Sequence, residues 1–245
     1  MRVWTPVLAC LLAARPLSAQ TPDSVKAKTD TTKLSFGLGL VTTGGNTSVT
    51  TFNFGNNFSY ISRPWVFSEA ASMVYGSTHD TVNNDQYHLL VRVDHGLHDG
   101  VSAYVFGTFD RDRFAGFASR YQEAAGFAWK AVEHPMDLLT LEAGAQETQQ
   151  RDLGTGATAS FTAARAAVAY KHGFNKTAYA QEAVEVLPDL QHSKNLRIDS
   201  ATDLVAPLST VFSIKVGYVI RFDNLPPPGF EKTDRILTTG VQITL

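Results

Sequence analysis

Hydrophobic and polar residues alternate along most of this chain with a period of two. Between 211 and 222, Phe212, Ile214, Val216, Tyr218, Ile220 and Phe222 share one parity, and Ser213, Lys215, Gly217 and Arg221 share the other, with Val219 the apolar exception. Successive side chains of a strand point to opposite faces, so this stretch reads as a strand with one apolar and one polar face. After the proline-rich loop 224–232, Leu237, Val241, Ile243 and Leu245 oppose Asp234, Thr238, Gly240, Gln242 and Thr244 in a second such strand. So apolar a strand at the edge of a soluble sheet would template aggregation. In a closed barrel the last strand pairs with the first, and the apolar parity can face lipid.

The same alternation runs back to residue 33, broken only by turn residues. Leu34, Phe36, Leu38 and Leu40 carry the first strand, Phe52 to Tyr60 the second, Trp65 to Tyr75 the third, and Tyr87, Leu89, Val91 and Val93 the fourth. The fifth, from 101 to about 110, is apolar on both parities and ambiguous in facing. Tyr121 to Trp129, Leu139 to Ala143 and Ala164 to Tyr170 carry the next three. The ninth, 177–187, places Glu182 and Glu185 on opposite parities, which suggests a bulge between them. The tenth opposes Ile198, Thr202 and Leu204 to Arg197, Asp199 and Asp203. The total is about twelve, an all-β, antiparallel up-and-down transmembrane barrel with periplasmic termini. Tight connections at 63–64, 98–100, 133–135, 174–176 and 207–208 alternate with longer polar ones, including 78–84 and 110–120. Tyr60, Trp65, Phe67, Tyr75, Tyr87, Tyr104, Trp129, Tyr170, Tyr218 and Phe222 read as girdles near the strand ends.

The two ends of the chain add localisation. Residues 1–19 carry Arg2, an apolar run and the small-residue exit Leu17-Ser18-Ala19, which reads as a cleaved secretory signal. Cleavage there removes Cys10, the one cysteine, and with it thiol chemistry. Residues 20–32 read as a disordered periplasmic lead-in and 33–245 as the barrel. The final octapeptide, with Thr238, Gly240, Ile243 and Leu245, resembles the C-terminal barrel-insertion signal of bacterial outer-membrane proteins, with Leu245 in place of the usual aromatic. The implied setting is the outer membrane of a Gram-negative-type bacterium. Outer-membrane lipid and, during biogenesis, the barrel-assembly machinery are the expected partners, and small solutes are possible ones. Net charge is −2, becoming −4 once Arg2 and Arg15 leave, so no nucleic acid is expected as a partner.

Three short motifs carry a family resemblance: Thr43-Gly44-Gly45-Asn46-Thr47 after the first strand, Asp112-Arg113-Phe114-Ala115-Gly116-Phe117 with Arg120, and Lys232-Thr233-Asp234 before Thr239-Gly240. They are similar to those of the salt-induced outer membrane proteins, a group defined as a domain of unknown function. The resemblance spans nearly the whole mature chain. It implies an outer-membrane barrel and no known activity.

Candidate chemistry centres on Asp110, Arg111, Asp112, Arg113 and Arg120, expected as a charged constriction or loop latch, or as ion pairs that satisfy a narrow interior. The inward parity also carries Arg92, Asp94, Glu142, Arg165, Lys171, Arg197, Asp199, Asp203, Lys215 and Arg221. This balanced set could plug the lumen with its own salt bridges. A hydrolase needs a nucleophile, a base and an orienting group. The nearest stretch to the outer-membrane phospholipase pattern is His192-Ser193-Lys194-Asn195, which does not match it. Asp80, Asn83, Asn84 and Asp85 lack EF-hand periodicity, and His88, His95 and His98 do not share one face, so no cofactor or metal is expected. The expected role is therefore non-enzymatic: a small passive pore or a structural, stress-associated envelope barrel. The alternatives are a phospholipase-type enzyme and a soluble periplasmic lipid-binding β protein.

Overall fold

The computed structural model describes residues 30–43, 49–79, 81–113, 115–175 and 177–244. They form twelve strands: β1 (Thr31–Thr43), β2 (Val49–Ser62), β3 (Trp65–Thr78), β4 (Thr81–Gly96), β5 (Val101–Asp112), β6 (Phe117–Glu133), β7 (Asp137–Asp152), β8 (Thr158–Gly173), β9 (Tyr179–Pro188), β10 (Leu196–Pro207), β11 (Phe212–Asp223) and β12 (Thr233–Thr244). Each strand pairs antiparallel with its neighbour in sequence. β12 returns to β1 through Phe36↔Ile243 and Leu38↔Val241, so the sheet closes and has no open edge. The leader 1–19, most of the lead-in, the 44–47 hairpin, Asp80, Phe114 and Leu245 lie outside the described residues.

The apolar parity faces outward. Leu38, Trp65, Phe67, Leu89, Val91, Phe127, Trp129, Val168, Tyr170, Ile214 and Leu237 are all exposed large hydrophobics, while Gln146, Thr148, Arg165 and Arg197 are buried. A soluble barrel inverts this arrangement, so the inside-out distribution fits lipid outside and a polar lumen within. The barrel's two ends are distinguishable. At the basal end β1 begins, β12 finishes and the connections are 63–64, 97–100, 134–136, 174–178 and 208–211; at the loop end are 113–116, 153–157, 189–195 and 224–232.

Four local expectations are corrected. The polar stretch 78–84 is mostly strand: β3 reaches Thr78 and β4 starts at Thr81, with a bulge between Gly76 and Ser77. Likewise 110–112 closes β5 and 117–120 opens β6, leaving 113–116 as the connection. Strands that continue past the lipid are wet on both faces, so their alternation fades although the ladder persists. β9 carries no bulge. Its register to β8 and β10 is continuous, with Glu185 turned inward to Arg165 and Glu182 outward to the Ser200 and Thr202 hydroxyls. Tyr104 is no girdle residue; it is a lumen residue with 2% exposure.

Tyr104 lies in the lumen because two glycines leave it room. Gly126 and Gly144 face each other across β6 and β7, and a Cβ at 144 would stand 2.3 Å from the Ala125 carbonyl oxygen and 2.8 Å from the Tyr104 hydroxyl. The nearer neighbour is backbone and cannot swing away. Gly144→Val should therefore cost about 1–3 kcal/mol, the usual range for overpacking. Urea unfolding of the refolded barrel in vesicles measures this, and an unchanged midpoint would contradict the glycine seat.

Candidate functional site

The lumen is filled unevenly. One wall, formed by β4 to β9, carries a chain of alternating charges that starts where Arg92 grips Asp94 on its own strand, with Nε and Nη2 donating at 2.9 and 2.7 Å. Arg92 also reaches across to Glu142 of β7, at 3.1 Å by Nη1 and 2.8 Å by Nη2. Arg165 of β8 donates through Nη1 to Glu142 Oε2, the oxygen that also accepts from Arg92 Nη1, at 2.6 Å, and through Nε to Glu185 of β9 at 2.5 Å. The same Arg165 Nη1 donates to the Tyr104 hydroxyl at 2.7 Å, and the Arg92 guanidinium lies 4.4 Å from the Tyr104 ring centroid. Phe106 stacks on Tyr104 at 5.9 Å. The result is one alternating acid–base chain, Asp94, Arg92, Glu142, Arg165 and Glu185, laid over an aromatic floor.

A second polar layer lies toward the loop end. Asp110 is within 2.7 Å of His88 Nδ1 and accepts from Thr108 at 3.2 Å. Arg120 donates to Gln150 Oε1 at 2.7 Å and lies over the Phe117 ring at 4.0 Å. Arg197 is almost fully buried, stacked on Phe161 at 3.8 Å and 3.3 Å from Asp223, and its Nε and Nη1 make no hydrogen bond. Asp199 faces the lumen opposite Arg221 in the β10–β11 register. Arg221 reaches Asp112 at 3.5 Å. β5 and β11 are six places apart in the ring of twelve, so this last contact spans the lumen. The 224–232 loop makes the same crossing: a Cβ at Gly116, in the β5–β6 connection, would stand 2.6 Å from the Phe230 ring. Gly116 also has φ +87°, where a side chain is strained.

The other wall, β1 to β3 with β11 and β12, is lined by small residues and holds the open space. A basal cavity of ≈ 590 Å³ is bordered by Lys33, Ser35, Ser59, Ser68, Lys171 and Ser213 among others. A second of ≈ 380 Å³ continues from it past Gly37, Gly55, Ser72, Gly217 and Gly240 to His88, Asp203, Lys215 and Arg221. The two share Ser35, Asn57, Ala70 and Gln242, so they form one seam from the basal mouth to mid-barrel. Asp203 and Lys215 pair across the seam's upper part at 3.0 Å.

Two of the candidate constriction residues are not in the lumen. Arg111 faces outward opposite Tyr87, and Arg113 sits in the connection, and both lie against Asp85, at 3.6 and 3.8 Å. The reason is parity: 110 and 112 point in, so 111 points out. Asp85 is thus paired with two arginines on the outer face. Of the insertion-signal residues, Thr238 and Gly240 line the lumen side, where Thr238 Oγ1 donates to the Gly217 carbonyl at 3.4 Å, and Ile243 pairs with Phe36 and Phe212. Sequence reading missed Tyr104, Phe106, Phe161 and Glu185 as lumen residues. The parity of Asp110 and Asp112, carried back through the fifth strand, was the signal that could have placed Tyr104 and Phe106.

Comparison with solved structures finds similar chains. The NanC porin aligns over 87% of this chain and 100% of its own, with TM-score 0.52 and 13% identity. The translocator domain of the autotransporter NalP from Neisseria meningitidis covers 88% of this chain and 87% of its own, with TM-score 0.45 and 11% identity. At 13% identity the likeness to the NanC porin is one of fold alone. Among curated proteins, none matches this chain. A family match extends over residues 36–244, from the start of the barrel to its last strand, and the chain belongs to that family, described as "Protein of unknown function, DUF481".

Proposed function

We propose that this protein is a passive, non-enzymatic pore for small solutes in the outer membrane of a Gram-negative-type bacterium, reached behind a cleaved signal at 1–19 and inserted by the barrel-assembly machinery. The basal end then faces the periplasm and the loop end the outside. The observation that carries this reading is the continuous seam along β1 to β3, lined by glycine, serine and alanine beside a wall whose bulky side chains are tied back. A barrel built only as a structural plug would have no need of an unfilled half. The 224–232 loop and the Arg221–Asp112 contact act in this reading as the outer latch.

A catalytic reading has less support. His192 lies 3.6 Å from Asp189, yet that carboxylate already accepts from the backbone amides of Gln191 and His192 and from the Asn195 side chain, which closes the 189–195 loop. Burial works to raise the Asp189 pKa, but these donors and His192 hold it below the usual carboxylate range. It serves as a loop staple.

Single-channel recording of the refolded protein in a planar bilayer tests the pore. Discrete, reproducible steps are expected. Silence from folded, inserted protein, persisting after the latch has been removed, would favour a structural envelope barrel instead.

A further inference from the structure

We infer that the basal cavity is a binding site for small hydroxylated carboxylates, so that the pore prefers organic anions. The inference deepens the pore reading and rests on it for the solute's passage, but the site itself can be assayed without conduction. Its volume of ≈ 590 Å³ falls within the range of roughly 300–1,000 Å³ typical of small-molecule pockets. Two ammonium groups border it, Lys33 from β1 and Lys171 from β8. Lys171 Nζ lies 3.8 Å from the Tyr179 ring centroid, and among the described residues neither lysine makes an ion pair with a carboxylate.

The carboxylates that could neutralise them are engaged elsewhere. Glu69 sits on the border of the cavity, but its strand parity turns it to the outer face, where it accepts from Asn56 at 2.6 Å. Glu142 and Glu185 are held by Arg165, Asp94 by Arg92, and Asp203 by Lys215. Two ammonium groups against the one outward-turned carboxylate of Glu69 leave the cavity a net positive field between low-dielectric walls, which concentrates anions. Around the ammonium pair stand hydroxyls that both donate and accept: Ser35, Ser59, Ser68 and Ser213. An inorganic anion would use the lysines and leave these groups to water. A carboxylate with a hydroxylated chain uses both.

Equilibrium dialysis of the folded, detergent-solubilised mature barrel, with labelled gluconate against the uncharged glucitol, tests the site. Foldedness is verified for each variant by its heat-modifiable migration. Saturable gluconate binding is expected, screened by salt, absent for glucitol at the same concentration, and weakened about tenfold or more by Lys33→Gln with Lys171→Gln. Lys130→Gln, at an exposed ion pair remote from the cavity, should leave binding unchanged. No gluconate binding, equal glucitol binding, or full binding by the double variant overturns the inference. The bilayer result is separate: conductance steps without gluconate binding would keep the pore and remove the site, and gluconate binding by a silent barrel would do the reverse.

Discussion

Replacing Glu142 with alanine should destabilise the barrel by about 3–5 kcal/mol, the usual cost of removing one partner from a buried ion pair. The Glu142 carboxylate is what separates two guanidinium groups that converge on it from β4 and β8. Without it Arg92 and Arg165 face each other at low dielectric, and neither can lose its proton near neutral pH. The lumen pair must be distinguished from pairs of similar length at the surface. Lys130 and Glu133 are also 2.7 Å apart, but their side chains are 47% and 60% exposed against 7% and 13% for Arg165 and Glu142. Lys130→Ala should therefore cost at most about 1 kcal/mol. Trp65 and Trp129 both lie on the outward face and report loss of lipid contact by fluorescence during urea unfolding in vesicles. Equal midpoint shifts for the two substitutions would show that the chain of charges does not hold the wall together.

Opening the latch should produce the largest functional change. Shortening the 224–232 loop through Phe230, combined with Arg221→Ala, removes both contacts that join β11 and its loop to the β5 side of the mouth. Arg221 is 28% exposed and 3.5 Å from Asp112, whose side chain is 2% exposed and also accepts from the Ala115 amide, so losing the arginine leaves a buried carboxylate with fewer partners and costs some stability along with the contact. Conductance should rise several-fold, and solutes that the intact barrel excludes should enter proteoliposomes. The Glu142 variant gives the opposite profile, with lower stability and little change in the seam, which lies on the other wall. A latch variant with unaltered conductance and unaltered stability would show that these contacts do not restrict the mouth.

The corrections share one cause. Alternation is legible where one face meets lipid and the other water, as in Tyr87 to Val93 or Phe212 to Phe222, because only then does a step of one residue change the solvent. At 78–84 and 110–120 the strands leave the bilayer and both faces are wet, so a strand reads as a loop. In the fifth strand the difficulty is reversed: Val105 faces lipid while Tyr104 and Phe106 face arginines, and aromatic rings suit both settings. Arg111 and Arg113 were grouped with Asp110 and Asp112 by proximity in sequence, whereas strand parity sends neighbours to opposite faces.

By itself the sequence determined that this chain is a membrane-spanning antiparallel barrel of about twelve strands, and it determined the facing of most of them. Those are local properties, written in a period of two and in turn residues, and each strand declares them without reference to the others. Only the tertiary structure decided which charges meet. Asp112 and Arg221 are 109 positions apart, Tyr104 and Arg165 are 61, and both contacts exist because closing the ring brings separate strands together across the lumen. It also decided that the charges gather on one wall and leave the other open, because how side chains share an enclosed space depends on all the strands around it at once.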